Sequence, residues 1–162
     1  VKKSKKTENF GLEDAMKSFF QSEIALLASQ GLSERACIAL HLEGKDYFFC
    51  RKKGRNQLLE ESPSDADVHF WIPLSTMRHL LALSEMPGTG MGTMGVAIFE
   101  YLLHKDPAKK IKFRVDTAFL GLWSKGYFSV LKAGGPEVAS YLARIGFGSL
   151  SKIKDTLRQF RG

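Results

Sequence analysis

Residues 90–95 read Gly90-Met91-Gly92-Thr93-Met94-Gly95, "GMGTMG". This is the spelling of a dinucleotide-binding turn, and an acidic residue, Asp116, follows about 20 residues on, as that turn requires. Accepting the motif makes the chain a parallel α/β protein. The motif works only where a strand ends at the glycines and a helix N-terminus then faces the pyrophosphate. The preceding stretch, "STMRHLLALSEMPGT" (75–89), places Met77, Leu80, Leu81 and Ser84 at helical spacing behind Ser75, a favourable N-cap. A helix is predicted where the motif needs a strand. After Asp116 the pattern is helical to the end, so a parallel sheet has no further strands to recruit. The glycines are therefore expected to join two helices, with Met86, Met91 and Met94 as soft, adaptable apolar contacts.

Working outward, "VAIFEYLLHKD" (96–106) is apolar on nearly every side, and Glu100 is its only charge before His104 and Lys105. Such a helix is buried or lines an apolar cavity. Glu100 is expected to face solvent or a basic partner, because unpaired carboxylates are rarely buried. Upstream, "FGLEDAMKSFFQSEIALLASQG" (10–31) carries Leu12, Met16, Phe19, Phe20, Ile24 and Leu27 along one amphipathic helix closed by Gly31. "ACIALHLEGKDYFFCRKKG" (36–54) reads as a β-hairpin in which Ile38, Leu40, Leu42, Tyr47, Phe49 and Arg51 share a face. With Gly44-Lys45 as its turn, Cys37 faces Lys52 and Cys50 faces Ala39. Directly opposed cysteines are then absent, which predicts free thiols and a reducing, cytoplasmic setting.

"NQLLEES" (56–62) is a further short strand or helix, and "PSDAD" (63–67) a loop. "VHFWI" (68–72), ended by Pro73, and "KKIKFRVD" (109–116) are strands. Helices then gather: 117–135 with Phe119, Leu122, Trp123, Tyr127, Val130 and Leu131, 135–146 with Pro136 at its first position, and a basic one with the stripe Leu150, Ile153, Leu157, Phe160. Clustered strands and segregated helices make an α+β fold with a helical C-terminal third. Residues 1–8 are expected to be a disordered basic tail, and 9–162 a single domain.

Lys and Arg outnumber Asp and Glu for a net charge of +7, concentrated in "KKSKK", "RKKGR" and "KKIKFR" and near the C-terminus. That balance suits anionic partners, namely nucleic acid, an anionic membrane or an acidic protein, or simply solvates the surface. His41, His69, His79 and His104 form no helical metal motif, although His41 and His69 lie on strands that could be neighbours in a sheet. No nucleophile elbow, Walker loop or paired-carboxylate motif is present, so neither catalysis nor a cofactor is expected.

The order of pieces resembles the sterol carrier protein 2 lipid-transfer domains. The parallels are "GLEDAMKSFFQSEIALLASQG", "ACIALHLEGKDYFFC", "ADVHFWIPLSTMRHLLALSEMPG" and "KKIKFRVDTAFLGLWSKGYFSVL", together spanning about residues 10–132. Three features depart from the family pattern: Lys109-Lys110 replaces its glycine-lysine, the segment before it is longer, and two helices follow residue 135. The resemblance implies a mostly antiparallel sheet of about five strands covered by helices, with an apolar tunnel between them. It implies non-catalytic binding or transfer of a lipid or fatty-acyl ligand. Met86, Met91, Met94, Ile98, Phe99, Leu102, Phe119 and Trp123 are the expected lining, with peripheral contact to an anionic membrane. The alternative is a basic module that docks on nucleic acid, anionic membrane or an acidic protein.

Overall fold

The computed structural model describes residues 2–146, and side chains from residue 11 onward. The basic helix expected over 150–160 lies outside the described residues. Twelve elements follow one another: α1 (Lys2–Phe20), α2 (Glu23–Ser29), β1 (Ile38–Leu42), β2 (Lys45–Lys52), β3 (Arg55–Leu59), β4 (Val68–Trp71), α3 (Leu74–Glu85), α4 (Met91–Leu102), β5 (Lys112–Val115), α5 (Phe119–Ser124), α6 (Tyr127–Ala133) and α7 (Gly135–Arg144). The backbone of α1 reaches back to Lys2, through the stretch whose composition reads as a tail.

The strands make one sheet in the order β3-β2-β1-β4-β5. Every pairing is antiparallel except β1 with β4, which is parallel because the chain crosses back over residues 60–67 before β4 begins. The fold is α+β, as expected. No strand ends at Gly88, because α3 occupies the place a dinucleotide turn would need.

Alternation decides which face is covered. Leu40, Leu42, Tyr47 and Ile72 join Leu12 and Met16 of α1, Met77, Leu80 and Leu81 of α3 and Met94 of α4 in the main core. Val68 and Val115 pack with Leu122 and Phe128 in a second cluster under α5 and α6. The described helices therefore lie on one face of the sheet. Arg51 is at the rim of that face, where its guanidinium donates to Ser29 O (2.7 Å), Gln30 O (2.8 Å) and Leu32 O (3.3 Å) and so caps the exit of α2.

Four expectations need correction. The first helix is broken: α1 stops at Phe20, and Ser22 caps a separate α2 by accepting from Ala25 N. α3 starts at Leu74 with Pro73 as its N-cap, two residues before the expected cap at Ser75. Gly92 and Gly95 are not part of a connection but sit inside α4. A Cβ there would come within 2.7 Å of Glu137 Cδ and 2.6 Å of Val138 Cγ2, so these glycines let α7 approach α4. Finally, Leu42 pairs with Lys45, which makes Glu43-Gly44 the turn, with Gly44 at φ +77°. One step back from Ile38↔Phe49, the register sets Cys37 opposite Cys50, so opposed cysteines are present. Both thiols are free and buried.

The turn between α5 and α6 has the tightest backbone contact. Gly126 has φ +86°, and a Cβ on it would collide with the carbonyl of Gly31. Gly126→Ala should therefore cost about 2 kcal/mol or more, beyond the usual range for a single backbone substitution. Urea titration followed by far-UV circular dichroism measures this, whereas Gly11→Ala, in open space inside α1, should stabilise by about 0.5–1 kcal/mol.

Candidate functional site

Helix α4 is the apolar element that the sequence singled out. Glu100 is its one charged residue and faces solvent. Only Gly92 and Met94 of the helix are buried, while Val96, Ala97, Ile98, Phe99, Tyr101 and Leu102 are half-buried. Met94, Ile98 and Leu102 pack on the main core, and Phe99 turns to the ring of Tyr141 on α7, 6.4 Å between centres. Met91 is half-buried at the helix start. Met86, after α3, is 59% exposed. Phe119 belongs to the second cluster, and Trp123 lies beside it, with ring centres 5.3 Å and 5.5 Å respectively from Phe128. Of the eight expected lining residues, Met94, Ile98 and Leu102 thus join the main cluster and Phe119 the second, the two clusters meeting at Phe70, while Met86, Met91, Phe99 and Trp123 belong to neither. An open cleft of about 500 Å³ lies elsewhere, between Leu26 and Leu27 of α2 and Arg51.

Beside the second cluster is an exposed apolar edge. Leu120 is 77% and Trp123 51% exposed, and Val130 on α6 is also exposed. This edge is held by a buried carboxylate that sequence reading left in a loop. Asp67 accepts from Lys125 Nζ (2.5 Å), Tyr127 Oη (2.7 Å) and Cys37 N (3.0 Å). Burial, and then the Asp67 carboxylate, push the Tyr127 phenol far above its usual range, so it remains a donor.

The face without helices carries a polar chain. His41 and His69 stand on the adjacent parallel strands β1 and β4, the neighbours that the sequence allowed. His41 Nδ1 is 2.7 Å from Asp46 Oδ1, His41 Nε2 is 2.8 Å from His69 Nδ1, and His69 Nε2 is 3.0 Å from Asp116 Oδ2. Arg114 clamps Asp116 with two bonds of 2.8 and 2.9 Å and lies over Trp71 at 5.5 Å. The imidazole planes are 2° apart with centres 5.1 Å apart. That separation is the nitrogen gap plus the two ring radii, so the rings lie end to end in one plane. The outer nitrogens thus face the two carboxylates, and the inner nitrogens face each other. A linear contact of this length has room for a proton. Among the described residues, no group of three or more His, Cys, Asp or Glu is placed to hold a metal ion.

Among the described residues, no helix is long and apolar enough to cross a membrane. No family model matches the chain, and no curated protein does. A solved structure described as "UbiJ-SCP2 Ubiquinone synthesis protein" is similar to it at 14% identity with a TM-score of 0.42, covering 80% of this chain and 97% of that one.

The histidine chain sets a pH dependence. Burial, the largest influence on His69, holds its pKa below the ordinary 6.5, against the opposing pull of Asp116. A histidine with a lowered folded pKa stabilises the fold above its unfolded value, and this is lost as pH falls through the lowered one. Thermal midpoints measured from pH 8 to pH 4 should therefore fall below pH 6.5. The fall should be shallower in His69→Gln, and an equal fall in both proteins would refute the assignment.

Proposed function

We propose that the protein binds a lipid or other apolar ligand against helix α4 and catalyses no reaction on it. The observation that carries this reading is the mismatch between the composition of α4 and its burial. A helix with a single charge in twelve residues leaves most of its apolar side chains only half covered. An apolar ligand completes such a surface, because each buried methylene contributes about 0.8 kcal/mol and needs no polar partner. In this reading Ile98, Phe99 and Leu102 form the wall, Met94 the floor, and Met91 and Met86 an adjustable lip beside Gly88, whose φ is +82°. Phe119 and Trp123, with the exposed Leu120, form the edge that meets an anionic membrane during transfer. A basic protein of net charge +7 is drawn to such a surface.

A second reading, docking on nucleic acid, is favoured by one specific feature. The face without helices carries Lys112 and Arg114 beside Trp71, which is 37% exposed, with Lys52 and Arg55 at the opposite end of the sheet. Retention on single-stranded RNA that falls steeply with salt, and is lost in Trp71→Ala, would support it.

Native mass spectrometry of the purified protein and displacement of a fluorescent fatty acid test the first reading. Phe99→Ala should weaken fatty-acid binding roughly tenfold, the equivalent of about two methylenes of contact. It should leave the fold intact, because Phe99 lies outside the buried core. No co-purifying lipid together with no displacement would overturn the reading.

A further inference from the structure

Cys37 and Cys50 meet at a position in the β1–β2 hairpin where a cross-strand bond can form. Pairs that close a two-residue turn are hydrogen-bonded, and the two pair types then alternate along the ladder. Leu42↔Lys45, Leu40↔Tyr47 and Ile38↔Phe49 are therefore the hydrogen-bonded pairs, and His41↔Asp46 and Ala39↔Phe48 the others. The next step, Cys37 opposite Cys50, is a non-hydrogen-bonded pair. The backbone of Cys37 agrees independently. Its N–H donates to Asp67 Oδ2 at 3.0 Å, and its carbonyl accepts from Asp67 N at 2.8 Å and Tyr127 Oη at 3.2 Å. Both groups are thus engaged by partners other than β2. Opposed residues at such a position have Cα atoms about 4.5 Å apart, within the span of about 4.4–6.8 Å that a disulfide bridges.

The surroundings close the site. Both side chains are on the face without helices, and Cys37 lies against the crossover between β3 and β4, with Ser62 Oγ and the Ser64 carbonyl each 4.0 Å from its Sγ. Cys50 Sγ is turned to Gln57 Oε1 at 3.8 Å. A rotation about the side-chain bond brings it toward Cys37. Burial first, and then the neighbouring Cys37, raise the Cys50 thiol, which keeps it protonated and slow while the crossover is closed.

We propose that Cys37 and Cys50 form a dithiol site for a two-electron oxidant, a low-molecular-weight disulfide, which converts the pair into a staple across the first hairpin. The Cys50 thiolate attacks the small disulfide, forming a mixed disulfide and releasing one small thiol. The Cys37 thiolate then attacks Cys50 Sγ and releases the second. One S–S bond is broken and one formed, the protein loses two electrons, and its two protons leave on the two released thiols.

The test uses the full chain, reduced and then incubated with oxidised glutathione at pH 8, alone and in a urea concentration below the unfolding transition. Thiol titration, intact mass and non-reducing peptide mapping are read at intervals. The expected product is a monomer lighter by two hydrogens, with Cys37 and Cys50 in one linked peptide pair and a thermal midpoint higher by several degrees. Formation should be faster in urea, where the crossover opens. Cys50→Ser has Cys37 as its sole thiol and should form no internal bond. Retention of both thiols in both conditions would overturn the proposal. So would stable glutathione adducts without closure, or a linked form that melts no higher than the reduced protein.

Discussion

The carboxylate of Asp67 is the constraint on which the arrangement depends. It is 3% exposed, yet it holds an ammonium, a phenol and a backbone amide at once. Its own backbone closes the sheet as well: Asp67 N–H donates to Cys37 O, and Asp67 O accepts from Asp116 N, both at 2.8 Å. One residue thus joins the start of β1, the start of β4 and the end of β5 to the α5–α6 turn. A buried charge is tolerated only where its partners replace water in full, and removing one partner leaves the others uncompensated. The close approach of Gly126 to Gly31 brings Lys125 and Tyr127 into range, so backbone contact and ion pairing at this point are one arrangement.

From that anchor the two faces of the sheet diverge. On the helical face, apolar residues at alternate positions are buried under α1, α3, α5 and α6. On the other face, alternation presents Asp46, His41, His69, Trp71 and Arg114 as one connected row. The row is held by charge-assisted bonds, which are directional, whereas the helical face is held by area, which is not. Proton concentration therefore acts on the face that carries the histidines.

Much of this was legible in the sequence, for reasons that can be traced residue by residue. Period-two alternation put Leu40, Leu42, Tyr47, Phe49 and Arg51 on one face correctly, because facing depends only on parity. Register depends on which residues turn, and there Gly44 misled. A glycine at φ +77° fits the second turn position as well as the first, so the turn moved by one residue and brought the cysteines together. The break at Gln21-Ser22 was hidden because the apolar spacing continues through it, and only the Ser22 cap separates α1 from α2. Asp67 gave no signal, because a buried acid before a strand is spelled like any loop acid. Its partners Lys125 and Tyr127 are about 60 positions away, beyond any local pattern.

The glycines of "GMGTMG" show how the same letters serve two unrelated demands. A phosphate turn uses glycine because the backbone must approach an anion. Here Gly92 and Gly95 stand three apart on α4, and what approaches is α7, with Val138 and Glu137 in the space that side chains would fill. That close packing commits one face of α4 to α7 and Met94 to the core. Ile98, Phe99 and Leu102 remain half covered, since a helix that is apolar on every side has more surface than two neighbours can bury. Small residues thus fix the position of α4, and large ones leave apolar surface on it. This division of labour within twelve residues makes the helix at once a structural element and the candidate site.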